Sequence, residues 1–131
     1  MKYIWLSILL AFTISIAFTQ EKPTKPTENK TYDATIVMKD LEGKPLTYQK
    51  ETNGPFVNLT LGDMVVNGLN ATLPEDQALT GVGKYERFLL IRRVYQNKSF
   101  ILSETEKTLV KERIAKLYSP LAIGAAWEAL K

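Results

Sequence analysis

The sequence contains neither cysteine nor histidine among its 131 residues. Without cysteine no disulfide can form, so a folded domain must be stabilised by its hydrophobic core. Zinc and copper sites built from thiolate or imidazole ligands are excluded. Ser-His-Asp triads and Cys-His dyads are excluded for the same reason. These absences favour a protein that is not an enzyme and that carries no metal or cofactor.

The motifs for phosphate and calcium binding are also incomplete. A phosphate-binding loop needs a glycine five residues before its Gly-Lys pair and a serine or threonine after it. Around Gly83 and Lys84 those positions hold Ala78 and Tyr85. No D-x-[DN]-x-[DN]-G calcium loop is present. The available carboxylates stand where helix starts and solvated faces favour acids: Asp63, Glu75, Asp76, Glu86, Glu104 and Glu106. A secreted hydrolase that uses only carboxylates is therefore the least favoured function.

Positive and negative charges are nearly balanced, with 17 Lys and Arg against 14 Asp and Glu. Arg87, Arg92 and Arg93 fall on one predicted helix, one turn after Lys84 and together with Phe88 and Tyr95, a pattern that a nucleic-acid-binding stripe could use. The two aromatic residues are equally explained as core contacts. We therefore expect another protein as the partner, and no nucleic acid.

The start of the chain has the layout of a secretory signal peptide. Lys2 precedes an almost wholly apolar run over residues 4–18, and Ala17 and Thr19 are small residues at the positions that a signal peptidase reads. This pattern predicts a signal peptide over residues 1–19 and a secreted or periplasmic mature protein. The alternative is an uncleaved membrane anchor, which would be the only contact with a membrane. A third hypothesis is that the start codon is assigned too far upstream and that the protein is cytoplasmic.

The chain after this segment divides into a linker and one domain. Residues 20–30 alternate Pro23 and Pro26 with charge and threonine, which predicts an exposed, flexible linker. Residues 31–131 predict a single small globular domain of the α+β class, mainly α. Its N-terminal part is a β-hairpin, in which residues 32–38 pair with residues 46–49 across a turn that contains Gly43.

Four helices are predicted after the hairpin, packed as a small bundle with the last three as its core. The first begins at the N-cap Thr60, and the third at a capping box that runs from Ser103 to Glu106. The second opens near Pro74, although two glycines could move its start to about Val82. The inner sides are predicted from helical spacing as Leu79, Val82, Tyr85, Phe88, Leu89 and Arg92 for the second helix, and Leu109, Val110, Ile114 and Leu117 for the third.

The last helix, from Pro120 to Leu130, consists largely of small residues. Its bulk is concentrated in Trp127, Ile123 and Leu130, and we expect Trp127 to be buried as its anchor. The alternative is that Trp127 is exposed and binds a partner, because aromatic side chains are favoured as interface anchors. The candidate partner-binding residues of this last helical hairpin are Trp127, Ile123, Leu130 and Tyr118.

Several short segments resemble a group of small, largely uncharacterised proteins of tailed phages and prophages. The segments are Asp40 to Pro45, Thr60 to Asp63, Lys84 to Arg87, Leu102 to Glu106 and, most similar, Ile114 to Glu128. The resemblance implies a small non-enzymatic phage or mobile-element protein and assigns no catalytic residue. Proteins of that group are normally cytoplasmic and lack a signal peptide, so the start of this chain departs from their pattern.

These observations lead to two leading hypotheses. The first is a non-enzymatic protein-binding module of phage or prophage origin, exported to the cell envelope. The second is a cytoplasmic protein of virion assembly, or an accessory protein, whose N-terminus is an artefact or an anchor. The hydrolase remains a third, less favoured alternative.

Overall fold

A computed structural model describes residues 29–131 of the chain. The predicted signal peptide and nearly all of the predicted linker therefore lie outside the described residues. The elements in chain order are β1 (Lys30–Asp33), β2 (Thr47–Gln49), β3 (Phe56–Asn58), α1 (Leu61–Asn70), a short 3₁₀ helix (Pro74–Ala78), α2 (Gly81–Tyr95), β4 (Ser99–Leu102), α3 (Glu104–Leu117) and α4 (Pro120–Ala129). This confirms the α+β class with a mainly helical chain. None of the helices within residues 29–131 combines the length and apolar character needed to cross a membrane.

The helix starts are set by local capping residues. The Thr60 side chain accepts a hydrogen bond from the Asp63 amide at 3.1 Å, and the Asp63 carboxylate accepts one from the Thr60 amide. Ser103 and Glu106 form the same reciprocal pair at the start of α3. These caps satisfy amides that have no partner within the helix. Both predicted starts are therefore confirmed.

The second predicted helix is divided in the structure. The segment Pro74–Ala78 forms the 3₁₀ helix, and α2 begins only at Gly81, where the Thr80 side chain accepts a hydrogen bond from the Gly83 amide. The long helix therefore begins close to Val82, the second of the two starts that the sequence predicts.

The predicted hairpin is present in approximate form. Gly43 has φ of +81°, which glycine adopts without steric cost, and it closes the turn between Met38 and Leu46, which share a backbone hydrogen bond. The strand before this turn is paired differently from the prediction. β1 lies antiparallel to β4, far away in the chain, with Tyr32 opposite Phe100, while β2 pairs with β3.

Helix α1 lies at the centre of the domain and contacts each of the other three helices. Its buried residues are Leu61, Gly62, Met64, Val65, Gly68 and Leu69. A Cβ atom at Gly62 would lie 3.0 Å from both the Cβ and the carbonyl oxygen of Ala34, so glycine permits the close approach of the chain after β1. The expectation that the last three helices form the core is wrong, because the first helix is the most deeply buried.

Only some of the residues predicted to be on the inner side of α3 are buried. Val110 and Ile114 are fully buried, but Leu117 is 41% exposed. Arg113 is buried instead, with only 2% of its surface exposed. The reason is a network of ion pairs and hydrogen bonds that joins four elements of the fold.

Candidate protein-binding surface

A buried ion-pair network fixes the position of α2 in the domain. The Asp76 carboxylate accepts two hydrogen bonds from Arg113, at 2.8 and 2.9 Å, and one from Arg87 of α2 at 2.5 Å. Arg113 also donates to the carbonyl oxygens of Gly68 and Ala71 at the end of α1. The Asp76 carboxylate therefore joins the 3₁₀ helix, α2 and α3, and Arg113 connects α1 to the same network.

The hydrogen bonds from Arg113 and Arg87 hold the pKa of Asp76 far below its ordinary value of 3.8, against the opposing effect of burial. A carboxyl group with a lowered pKa in the folded state contributes stability above its unfolded pKa. That contribution is lost as the pH falls towards the folded pKa. We expect the free energy of unfolding to decrease progressively below about pH 5. Asp76→Asn should flatten this decrease, which urea titrations between about pH 5 and pH 2 would measure. If the free energy of unfolding depended on pH in the same way in both proteins, Asp76 would not be the group that titrates.

The outward side of α2 carries an aromatic and basic surface. Tyr85, Phe88 and Tyr95 are 60%, 50% and 79% exposed. Lys84, Tyr85 and Arg92 each lie three or four residues from Phe88. Tyr95 lies three residues from Arg92, so the five residues share one side of the helix. We call these five residues, Lys84, Tyr85, Phe88, Arg92 and Tyr95, the α2 face. Large exposed apolar groups in a continuous patch are typical of interaction sites.

Three side chains of the α2 face, those of Tyr85, Phe88 and Arg92, contact one another. The rings of Tyr85 and Phe88 are stacked, with their centroids 6.1 Å apart, and the Arg92 guanidinium lies 5.7 Å from the centroid of the Phe88 ring. These contacts hold the rings in place without burying them. The centre of the α2 face is therefore a set of packed large side chains that remains open to solvent.

The orientation of α2 is opposite to the sequence prediction. Leu90 and Val94 are the buried residues of the helix, whereas Val82, Tyr85 and Phe88 are exposed. The interpretation of the aromatic residues as core contacts is therefore wrong for Phe88 and Tyr95. The alternation of arginine and aromatic residues in the sequence was a signal of this surface, but helical spacing alone does not say which side is buried.

A groove runs beside the α2 face, between α2 and the chain that leaves α1. It has a volume of about 370 Å³. Its walls include Leu69, Ala71, Gln77, Leu79, Phe88 and Ile91. Lys84 and the paired side chains of Asp76 and Arg87 also line it, but most of its exposed lining is apolar, so it suits an apolar side chain from a partner.

A second groove, of about 440 Å³, lies between β2, α1 and the end of α2. Several of its polar side chains already have partners within the domain. Lys50 lies 3.7 Å from the Asp63 carboxylate, and Asn67 donates a hydrogen bond to the Tyr118 hydroxyl. Burial and the neighbouring Asp63 carboxylate raise the pKa of Tyr48 to about 12. Within residues 29–131 no group of three or more acidic side chains is arranged to hold a metal ion.

The predicted partner-binding residues of the last hairpin do not form one exposed site. Leu130 is fully buried, and Ile123 is partly buried against the core. Tyr118 is half-buried, and burial raises the pKa of its hydroxyl. Only Trp127 presents a large exposed surface, 41% of its side chain, with the Lys111 ammonium 5.6 Å from its ring centroid.

The predicted burial of Trp127 is therefore wrong. Ala126 and Leu130 face the core in its place, because α4 uses small side chains to approach α1 and α3 closely. We expect Leu130→Ala to lower the free energy of unfolding by about 2–5 kcal/mol, as for other buried leucines. Trp127→Ala should cost at least about 1 kcal/mol less, because much of the ring is already in water. Chemical denaturation of both variants checks the order, and a larger loss for Trp127→Ala would contradict the observed orientation of α4.

No family model, curated protein sequence or solved structure matches the chain.

Proposed function

We propose that the chain is a non-enzymatic protein-binding module and that the α2 face is its binding surface. The observation that carries this proposal is the cluster of exposed aromatic side chains on α2, half or more of whose surface is open to solvent. Tyrosine, phenylalanine and arginine are enriched in protein interfaces, where few large side chains supply most of the binding energy. The ion pair between Arg87 of α2 and Asp76, in which both side chains are mostly buried, adds support, because a surface that is held in place loses little entropy on binding.

The proposed location is the cell envelope, after export and removal of residues 1–19. The charged start, the apolar run and the small residues before Gln20 support export. The resemblance to phage and prophage proteins supports an origin in a mobile element. The same resemblance favours the second candidate, a cytoplasmic virion-assembly or accessory protein.

The N-terminus of the protein made in its own host separates these two locations. Mass spectrometry should find Gln20 as the first residue if the signal peptide is cleaved. An intact Met1 in the soluble cytoplasmic fraction would instead support the assembly protein. An intact Met1 in the membrane fraction would identify residues 1–19 as an anchor.

Site-specific photocrosslinking in the host tests the binding surface. Phe88→p-benzoylphenylalanine in the full chain should yield one dominant crosslinked protein, because position 88 lies at the centre of the α2 face. Position 117 on α3 provides a matched control, since Leu117 is also a half-exposed apolar residue. Equal crosslinking from both positions would show that the contacts are nonspecific. A dominant product from position 127 alone would place the binding surface on α4.

A further inference from the structure

The charges of the α2 face have one sign and a defined spacing. Lys84 and Arg92 form no ion pair with a carboxylate of residues 29–131, whereas Arg87 and Arg93 of the same helix do. Phe88 lies midway between these two cations, four residues from each. Eight residues of α-helix separate the two cations by about 12 Å along the axis. The α2 face therefore presents an aromatic centre between two positive charges.

This spacing argues against a second copy of the chain as the occupant. If two α2 helices packed antiparallel about Phe88, Lys84 of one copy would lie opposite Arg92 of the other. In a parallel pair each cation would lie opposite its own equivalent. Both arrangements bring like charges together at an interface, which is unfavourable.

The groove beside Phe88 argues for a protein segment with side chains of its own rather than a flat bilayer. It has a volume of about 370 Å³ and apolar walls that include Leu69, Leu79 and Ile91. A bilayer surface would contact the outward ridge of α2 and leave this groove unfilled. A helix can place one apolar side chain in the groove and keep neighbouring side chains on the ridge.

We propose that the α2 face binds an acidic amphipathic helix. An apolar side chain of this helix enters the groove beside Phe88, and two carboxylates about two helical turns apart pair with Lys84 and Arg92. This inference rests on the proposed function and adds the chemistry of the partner. It goes beyond that function because a neutral or basic apolar helix would satisfy the aromatic surface but not the two cations.

The experiment is a selection from a phage-displayed library of helical peptides with one randomised face, using the full chain as the immobilised target. Enriched peptides should carry Asp or Glu at two positions seven or eight residues apart, with an aromatic or aliphatic residue between them. The double variant Lys84→Glu with Arg92→Glu should weaken binding of the best peptide at least about tenfold, because it places like charges together. A peptide with lysine in place of its two acids should restore binding to this variant.

The control variant combines Lys39→Glu with Lys44→Glu, two exposed lysines on either side of the turn before β2 and outside both the α2 face and α4. It changes the net charge by the same amount and should leave peptide binding unchanged. An equal loss in both double variants would mean that only the overall charge matters, which would overturn the inference.

The remaining outcomes separate the inference from the proposed function. Binding that is lost in Phe88→Ala but kept after charge reversal would overturn the acidic partner and leave the binding surface standing. Peptides whose binding is unaffected by Phe88→Ala and by charge reversal would contradict both the acidic partner and the binding surface. A selection that enriches no peptide would also contradict both. A dimer in sedimentation that Phe88→Ala dissociates would identify a second copy. Binding to phosphatidylglycerol vesicles that charge reversal abolishes would identify a lipid surface, and either result would overturn the inference.

Discussion

Arg113→Ala is expected to lower the free energy of unfolding by about 3–5 kcal/mol, the usual cost of removing one partner from a buried ion pair. The Arg113 side chain is only 3% exposed and makes two hydrogen bonds to the Asp76 carboxylate. Among residues 29–131 its removal leaves that carboxylate with Arg87 as its one cationic partner, and it frees the carbonyl oxygens of Gly68 and Ala71. Urea or guanidinium denaturation measures the loss.

An exposed ion pair supplies the control for this variant. Lys44 and Glu42 are both more than two-thirds exposed, so Lys44→Ala should change the free energy of unfolding by less than about 1 kcal/mol. Similar small losses in the two variants would mean that water replaces the guanidinium beside Asp76. The account of how α2 is held in place would then be wrong.

Phe88→Ala is expected to reduce partner binding by about 30-fold or more, which corresponds to a hot-spot contribution of at least about 2 kcal/mol. Half of the Phe88 side chain is exposed, at the point where the α2 face meets the groove. The same change should leave the fold nearly intact, with a loss of less than about 2 kcal/mol, because the ring is not part of the buried core. Titration of the crosslinked partner protein, together with thermal unfolding, measures both effects.

Two other variants separate binding from folding. Leu41 is 95% exposed in the turn before β2, and Leu41→Ala should leave both binding and stability unchanged. Leu90 lies on the buried side of α2, and Leu90→Ala should destabilise the fold by about 2–5 kcal/mol. If Phe88→Ala destabilised the domain as much as Leu90→Ala, its effect on binding would reflect unfolding and the assignment of the α2 face would fail.

The local parts of this fold could be predicted from the sequence, and the long-range parts could not. The Thr60 and Ser103 caps depend only on residues within three positions, so the side chains that make them are visible in the sequence. The pairing of β1 with β4 depends on two segments far apart in the chain. The sequence of neither strand indicates which other strand it pairs with.

The candidate site illustrates the same limit. Helical spacing correctly groups Tyr85 with Phe88, but apolar residues occur on both sides of α2, so the spacing does not decide which side is buried. Arg113 was missed because a charged residue in a helix normally indicates a solvated face. Its burial depends on Asp76, which comes from a different segment and is recognisable as a partner only in the folded chain.

Nuclear magnetic resonance titration of the full chain with the best peptide from the helical library tests the α2 face most directly. The backbone amide signals of Gly81–Tyr95 and of the neighbouring 3₁₀ helix Pro74–Ala78 should shift on binding, because these segments form the α2 face and one wall of its groove. The signals of α4 should remain in place. Shifts confined to Pro120–Ala129, with α2 unchanged, would contradict the account and return the binding surface to the last helix.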